Sequence, residues 1–138
     1  MVVTPLSSDM KDILNELDTS TFNGEVNYCK EGSYWWIAYD NKTPAGFAGL
    51  TYYKVSQCAF LCRCGVLSQY RGLGLQKRFI RARERQVAKG EYRRIITYVA
   101  PYNIHSANNL IICGYKLYVP PYYWGVNNAL YFEKIITV

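Results

Sequence analysis

Two glycines separated by one residue, Gly72 and Gly74, lie between an apolar segment and a long basic segment of the chain. Because glycine has no side chain to hold a ligand away from the backbone, amides at such a turn can converge on one point. The first amides of a following helix have no partner within the helix and lie at the positive end of its dipole. The pattern therefore predicts a strand, a tight turn and a helix, with a site for a phosphate or pyrophosphate group at the turn.

Two common phosphate-binding loops do not fit this turn. A Walker loop ends in Gly-Lys-Ser/Thr, whereas Gly74 is followed by Leu75 and Gln76. A dinucleotide-binding turn that begins at Gly72 needs a third glycine where the chain has Lys77, and an acidic residue after the next strand. Taken alone, the turn is equally typical of a plain connection between a strand and a helix.

Periodicity and turn residues predict an α+β chain. A first helix is predicted from Ser7 or Ser8 to Leu17, and residues 18–24 are either a loop or a short second helix. The predicted strands are residues 34–39, 44–54, 58–67, 94–99, 115–119 and 129–138, with residues 1–3 as a further candidate. A long helix is predicted over residues 72–89, and another begins at Asn103 or Ser106 and ends at Gly114.

The long helix carries much of the net charge of +6. Lys77, Arg81, Arg85 and Lys89 are spaced four apart and so lie in one row on its surface. Its apolar arc is interrupted by Arg83 near the middle. A solvated face is the plain interpretation of the row, and a site for an acidic ligand or partner is the functional one.

Length and composition indicate a single domain, residues 1–138, because half of the residues are hydrophobic and the chain suffices for one core but not two. No segment has the length and apolarity to cross a bilayer, and no basic amino terminus precedes a hydrophobic block. A soluble, cytoplasmic protein without a membrane partner is expected. The five cysteines are expected to be thiols without metal, and Cys62 and Cys64 are expected on one strand face as core residues.

The segment that contains the two glycines resembles the acetyl-CoA loop of the GNAT superfamily of N-acetyltransferases. Its signature, Arg/Gln-x-x-Gly-x-Gly/Ala, matches Arg71 and Gly74, whereas Gln76 departs from the final small residue. The register that starts at Gln69 also matches letter for letter. The Arg71 register is preferred because it places residues 79–80 at the apolar pair of the family.

A second motif follows in the family's order and spacing. Residues 103–110, followed by Gly114 and Tyr115, resemble the family's Asn-x-x-Ala/Ser helix and Gly-Phe pair. The order of predicted elements is also that of the GNAT fold. The resemblance implies a mixed, mostly antiparallel sheet that splays around a central parallel pair, with helices on both faces.

The resemblance implies an N-acetyltransferase that moves an acetyl group from acetyl-CoA to a primary amine of a small molecule or protein, by direct attack in a ternary complex. The Val66 amide would donate to the thioester oxygen, and the amides from Arg71 to Gln76 would hold the pyrophosphate. Asn103 would contact the pantetheine arm or a carbonyl, and Ser106 the region near the sulfur or the adenosine, although both are also common helix caps. The implied cofactor residues are Val66, Leu67, Ser68, Arg71, Gly72, Leu73, Gly74, Leu75, Gln76, Lys77, Asn103 and Ser106.

The proton donor to the departing thiolate is not apparent from the family pattern, because Leu110 stands where many members have a tyrosine. The remaining candidates are Ser106, Tyr98, Tyr102 and Tyr115, and the sequence does not choose among them; Val66, Ser106 and Tyr115 form the expected catalytic set. A thiol of pKa near 8.5 leaves as thiolate at about 2 kcal/mol at pH 7, so the leucine lowers efficiency rather than excluding catalysis.

The acceptor side also lacks an evident base. No carboxylate lies between residues 58 and 76, so we expect either an amine of low pKa or a base acting through water from Asp18, Glu25 or Glu31. Two other classes stay open: an acyl-CoA-binding relative without activity, and a small basic nucleic-acid-binding module. Nucleic acid is the less favoured partner because the aromatic residues fall mostly among apolar neighbours in strands. The acceptor and the oligomeric state, a homodimer included, are not decided by the sequence.

Overall fold

The computed structural model describes residues 1–22 and 32–137, and in these ranges one sheet has helices on both faces. The strands are β1 (Val2–Pro5), β2 (Tyr34–Asp40), β3 (Thr43–Tyr53), β4 (Cys58–Val66), β5 (Arg94–Val99), β6 (Lys116–Leu117) and β7 (Leu130–Ile135), in the spatial order β1-β2-β3-β4-β5-β7-β6. The helices are α1 (Lys11–Phe22), α2 (Leu75–Ala88) and α3 (Ile104–Ile112). All strand pairs are antiparallel except β4 with β5. The expected mixed, mostly antiparallel sheet is confirmed.

Several element ends differ from the sequence expectation, and two of the differences lie close to the site. Residues 18–24 were expected to form either a loop or a short helix, and the first five of them continue α1. Thr19, Ser20 and Thr21 each donate a side-chain hydrogen bond to the carbonyl four residues back. The last two residues of the segment, 23 and 24, lie outside the described ranges. The long helix begins at Leu75 rather than at Gly72, because both glycines of the turn have the positive φ of left-handed backbone.

The sheet separates two apolar clusters. On one face, α2 and α3 pack around Phe79, Ile80 and Phe132. On the other face, α1 packs through Leu14 and Leu17. The glycine turn at residues 72–74 directly precedes α2, which packs on the same face of the sheet as α3.

A β-bulge interrupts the pairing of β3 and β4. Cys62 and Arg63 of β4 together stand opposite Gly49 of β3, so β4 has one extra residue. The extra residue reverses the alternation of side chains: Cys62 packs with the α1 cluster, whereas Cys64 packs with the α2 cluster. The expectation that the two cysteines share a face is therefore wrong, because it assumed a regular strand.

The parallel pair separates close to this bulge. β4 and β5 are paired only as far as Phe60 with Ile96. Just beyond, the buried hydroxyl of Thr97 donates to the Leu61 carbonyl at 2.8 Å. The remaining part of β4, residues 61–66, therefore presents an open edge toward β5. The separation of β4 from β5 after this pair leaves room beside the end of β4, where the candidate site lies.

Candidate active site

A cavity of about 710 Å³ lies between the end of β4 and the first turns of α2 and α3. Its lining consists of Thr21, Cys64, Gly65, Val66, Tyr70, Arg71, Gly72, Gly74, Leu75, Gln76, Lys77, Asn103, His105, Ser106 and Asn109. Among these described residues there is no carboxylate, whereas Arg71 and Lys77 bring positive charge. The cavity therefore favours an anionic ligand.

The turn at the mouth of the cavity is an open cradle. Gly72 and Gly74 have φ of 80° and 79°, and a Cβ built at either would meet no described atom within 4 Å. Gly74 is the N-cap of α2 and provides no side-chain cap, so no side chain of this residue competes for the first amides of the helix. The residues present thus fit a pyrophosphate, which needs free amides at a helix start and room for its oxygens.

Val66 ends the open edge of β4. The Leu67 amide donates to the Ala45 carbonyl of β3 at 3.0 Å. Because successive residues of a strand direct their amides to opposite sides, the Val66 amide is directed away from β3 and toward the open edge. The Val66 carbonyl accepts a hydrogen bond from Arg71 Nε at 3.1 Å, which ties the loop to the end of the strand.

A polar bridge joins α2 to α3 in the cavity wall. Gln76 Oε1 accepts from Asn109 Nδ2 at 2.7 Å, so the other end of the Gln76 amide donates to Ser106 Oγ at 3.0 Å. Ser106 Oγ is thus an acceptor in this bridge, and its own hydrogen is left for another acceptor. The Asn103 side chain accepts from the Ser106 amide at 3.3 Å, which is the helix-capping role that its position allows.

The predicted cofactor residues line this cavity, apart from Leu67, Ser68 and Leu73. Leu67 packs with the α1 cluster, Ser68 is exposed in a short 3-10 turn, and Leu73 is 63% exposed.

Tyr115, one of the expected catalytic residues, lies outside the cavity lining. It is 2% exposed, and its hydroxyl donates to Glu84 at 2.9 Å. Burial, and after it the charge of Glu84, raise the pKa of Tyr115 far above its usual value. Tyr115 is therefore unavailable as the proton donor, contrary to the expectation. Of the other candidates, Tyr102 is 86% exposed, and Tyr98 stacks with Phe60 and is not among the residues that line the cavity.

Of the candidate bases, Asp18 is fully buried on α1, where its Oδ1 accepts from Arg63 of β4 at 2.9 Å. This ion pair ties α1 to the bulge of β4, and Asp18 is not among the residues that line the cavity. Glu25 and Glu31 lie outside the described residues. His105, the single histidine of the chain, lines the cavity from an exposed position.

Sequence reasoning missed several residues of the lining. Asn109 had a signal, because it lies three residues after Ser106 and so on the same face of α3. No sequence signal marked Thr21 or Cys64, because their positions in the lining depend on how α1 and the bulge of β4 pack beside the cavity. Burial raises the pKa of the Cys64 thiol, so the thiol stays neutral at pH 7 and does not act as a nucleophile.

A second, basic cleft of about 510 Å³ lies between β1 and α2. Its lining consists of Met1, Val2, Val3, Lys77, Arg78, Arg81 and Arg85. Lys77 lines both cavities and so joins them. In the described part of the chain, no three His, Cys, Asp or Glu side chains are grouped to hold a metal ion, and no helix has the length and apolarity to span a membrane.

A known protein family shares the sequence pattern of this chain. The model of the acetyltransferase (GNAT) family matches residues 6–115. The chain belongs to the GNAT acetyltransferase family. No curated protein sequence matches it.

Solved structures share the fold of this GNAT chain at low sequence identity. The ribosomal-protein-S18-alanine N-acetyltransferase of Escherichia coli is 13% identical, with a TM-score of 0.80 over 99% of this chain and 94% of that one. An acetyltransferase of Bacillus anthracis in complex with acetyl coenzyme A is 19% identical, with a TM-score of 0.80 over 99% and 98%. The PaiA N-acetyltransferase of Thermoplasma acidophilum in complex with coenzyme A is 16% identical, with a TM-score of 0.77 over 99% and 100%.

Proposed function

We propose that this GNAT chain transfers the acetyl group of acetyl-CoA to a primary amine. The observation that carries the proposal is that one cavity joins the glycine cradle of Gly72 and Gly74 with the open edge of β4 at Val66. The cradle suits a pyrophosphate, and an open strand edge suits the amides of a pantetheine arm. Two of the similar structures contain acetyl coenzyme A or coenzyme A, which supports the same ligand.

Acetyl-CoA, when bound, supplies an activated acetyl thioester. The Val66 amide is the group that would donate to the thioester oxygen, where negative charge grows as an amine attacks. The Ser106 hydroxyl, whose hydrogen is not used by Gln76, would donate to the sulfur as it becomes anionic. Asn109 would fix the orientation of the Gln76 amide, so that Gln76 donates to Ser106 Oγ and the hydroxyl hydrogen is directed away from Gln76.

The acceptor is proposed to be an amine of low pKa. The described lining contains no carboxylate, and Asp18 is engaged with Arg63. At pH 7, deprotonating a lysine amine of pKa 10.4 costs about 4.6 kcal/mol, whereas an α-amino group near 7.8 costs about 1 kcal/mol. Without a carboxylate base in the described lining, the second amine is the better nucleophile.

Aromatic side chains support an apolar acceptor side. Tyr53, Phe60 and Tyr98 stack across β3, β4 and β5, with ring centroids 5.6 Å apart in each adjacent pair. Trp124 stands edge-on against all three rings. This stack lies at the point where β4 and β5 diverge, and apolar surroundings lower the pKa of an amine further.

A panel of amines tests the proposal. We expect a peptide with a free α-amine, or an aromatic amine, to be acetylated at pH 7 at least roughly tenfold faster than the side chain of Nα-acetyl-lysine, because its amine is less protonated. The measurement is initial rate against pH with acetyl-CoA in excess. Faster acetylation of the lysine side chain at pH 7 contradicts the acceptor proposal, and failure of the chain to bind acetyl-CoA at all contradicts the proposed function.

Lys77→Ala is expected to weaken acetyl-CoA by roughly 10- to 100-fold, since a charge-assisted hydrogen bond contributes about 1.5 to 3 kcal/mol. Lys77 lies where the cofactor cavity meets the basic cleft, and we assign it, with Arg78, to the phosphates of the adenosine end. The loss for 3′-dephospho-CoA should be smaller. Calorimetry with both ligands measures it, and Lys89→Ala, in the same row but outside both cavities, is the control. Equal losses for the two ligands contradict the assignment.

A further inference from the structure

Arg83 is a buried cation at a position where the apolar arc of α2 calls for a hydrophobic side chain. It is 2% exposed and lies among the buried residues of the helix. Burying a guanidinium is strongly unfavourable unless its donors find acceptors. None of the salt bridges within residues 1–22 and 32–137 includes Arg83. Its charge is therefore held by other groups.

Those groups are backbone carbonyls on three elements. Arg83 Nε donates to the Phe79 carbonyl of its own helix at 3.2 Å. Arg83 Nη1 donates to the Gly49 carbonyl of β3 at 3.1 Å and lies 3.5 Å from the Cys62 carbonyl of β4. Gly49 and Cys62 face each other across the β-bulge. The guanidinium thus ties α2 to both strands at the place where their ladder is interrupted.

The bulge determines where the end of β4 lies. A bulge leaves backbone groups without ladder partners and bends the strand that carries the extra residue. The residues after it, Cys64, Gly65 and Val66, form one wall of the cofactor cavity. A donor that spans both sides of the bulge therefore restricts the position of this wall, and with it the direction of the Val66 amide.

We infer that Arg83 is a positioning residue: it fixes the bulge of β4 and thereby aims the Val66 amide at the acetyl thioester. The ligand in this inference, acetyl-CoA, rests on the proposed function, whereas the contacts of Arg83 with the bulge do not. Arg83 does not line the cavity, so its effect is transmitted by the β4 backbone. A fork of donors is required for this role, since a single point charge cannot serve three carbonyls on separate elements equally well.

Arg83→Met is the informative variant, with Arg83→Lys beside it. Arg83→Met removes the unfavourable burial of the guanidinium, but it leaves the Gly49 and Cys62 carbonyls without this donor. We expect Arg83→Met to remain folded in water, while kcat with the best amine of the panel falls roughly 10- to 100-fold, because small misplacements carry losses of this size. The KM for acetyl-CoA should change little, since the glycine cradle is separate. Arg83→Lys, which keeps the charge but not the fork, should also lose kcat.

Two spectroscopic measurements separate positioning from general stability. The carbonyl resonance of bound [1-¹³C]acetyl-CoA should move toward that of free acetyl-CoA in both variants, because the Val66 hydrogen bond weakens. Without ligand, amide hydrogen exchange over residues 62–66 should be faster than in the parent, while that of β7 stays unchanged. Lys89→Met, an exposed cation at the end of α2 that lines neither cavity, is the control.

The outcomes are distinct. A folded Arg83→Met with the parent's carbonyl resonance, kcat and exchange rates overturns the inference. If Arg83→Met does not fold, Arg83→Lys decides it by the same readouts. If the parent binds no acetyl-CoA, the proposed function fails, and unchanged hydrogen exchange at residues 62–66 then overturns the positioning role as well.

Discussion

Gly74→Asp is expected to abolish acetyl-CoA binding while leaving the fold intact. The backbone at Gly74 is left-handed, and aspartate is among the residues that tolerate this conformation. A Cβ there meets no described atom within 4 Å, so there is room for the side chain, and the remaining cost is the strain of a left-handed backbone. The new carboxylate would stand where the pyrophosphate is proposed to lie, and like charges in contact cost several kcal/mol, so we expect a loss of about a hundredfold or more.

Calorimetry with acetyl-CoA measures this loss. Gly74→Asn is the matched control, because asparagine has nearly the same shape and tolerance of left-handed backbone without the charge. A smaller loss for asparagine assigns the effect to charge. Binding of acetyl-CoA by Gly74→Asp at the parent's affinity means that the glycine cradle is not the phosphate site.

Gly49→Ala is expected to destabilise the fold by about 1 to 3 kcal/mol, as overpacking of a core does. A Cβ at Gly49 would lie 2.5 Å from the Trp35 ring and 2.6 Å from Cys62 Sγ, so both the ring and the bulge must move. Urea denaturation followed by circular dichroism gives the change. Gly90→Ala is the control, because the nearest described atom there is 3.8 Å away and the backbone is not left-handed. Equal stability of the two variants would show that the bulge is loosely packed.

Local sequence signals were enough for most of the architecture. The glycine turn, the long periodic helix and the β-branched strand at residues 94–99 were all predicted, because each depends on neighbours within one or two turns of chain. The backbone conformation of the glycine turn was also predictable from local sequence, since a Gly-x-Gly turn before a helix favours positive φ angles at its glycines. For this reason Gly72 and Gly74 were assigned correctly to one turn before any tertiary contact was known.

Features that depend on distant partners were not predictable in this way. The bulge opposite Gly49 is a mismatch between two strands, and neither strand shows it alone. Tyr115 was a candidate donor by residue type, but the partly buried carboxylate of Glu84 on α2 accepts a hydrogen bond from its hydroxyl. Arg83 looked like a flaw in an apolar arc. Its partners are carbonyls, which every residue has, so no residue type signalled them.

The spatial order of the sheet has a consequence for folding during synthesis. β7 is made after β5 and β6, yet it lies between them in the sheet. Until β7 is released from the ribosome, β6 has no neighbour in the sheet, and the paired edge of β5 stays exposed. Phe132 of β7 is fully buried, so the apolar core also stays incomplete until this point. Nascent chains halted before residue 130 should therefore expose an aggregation-prone strand edge.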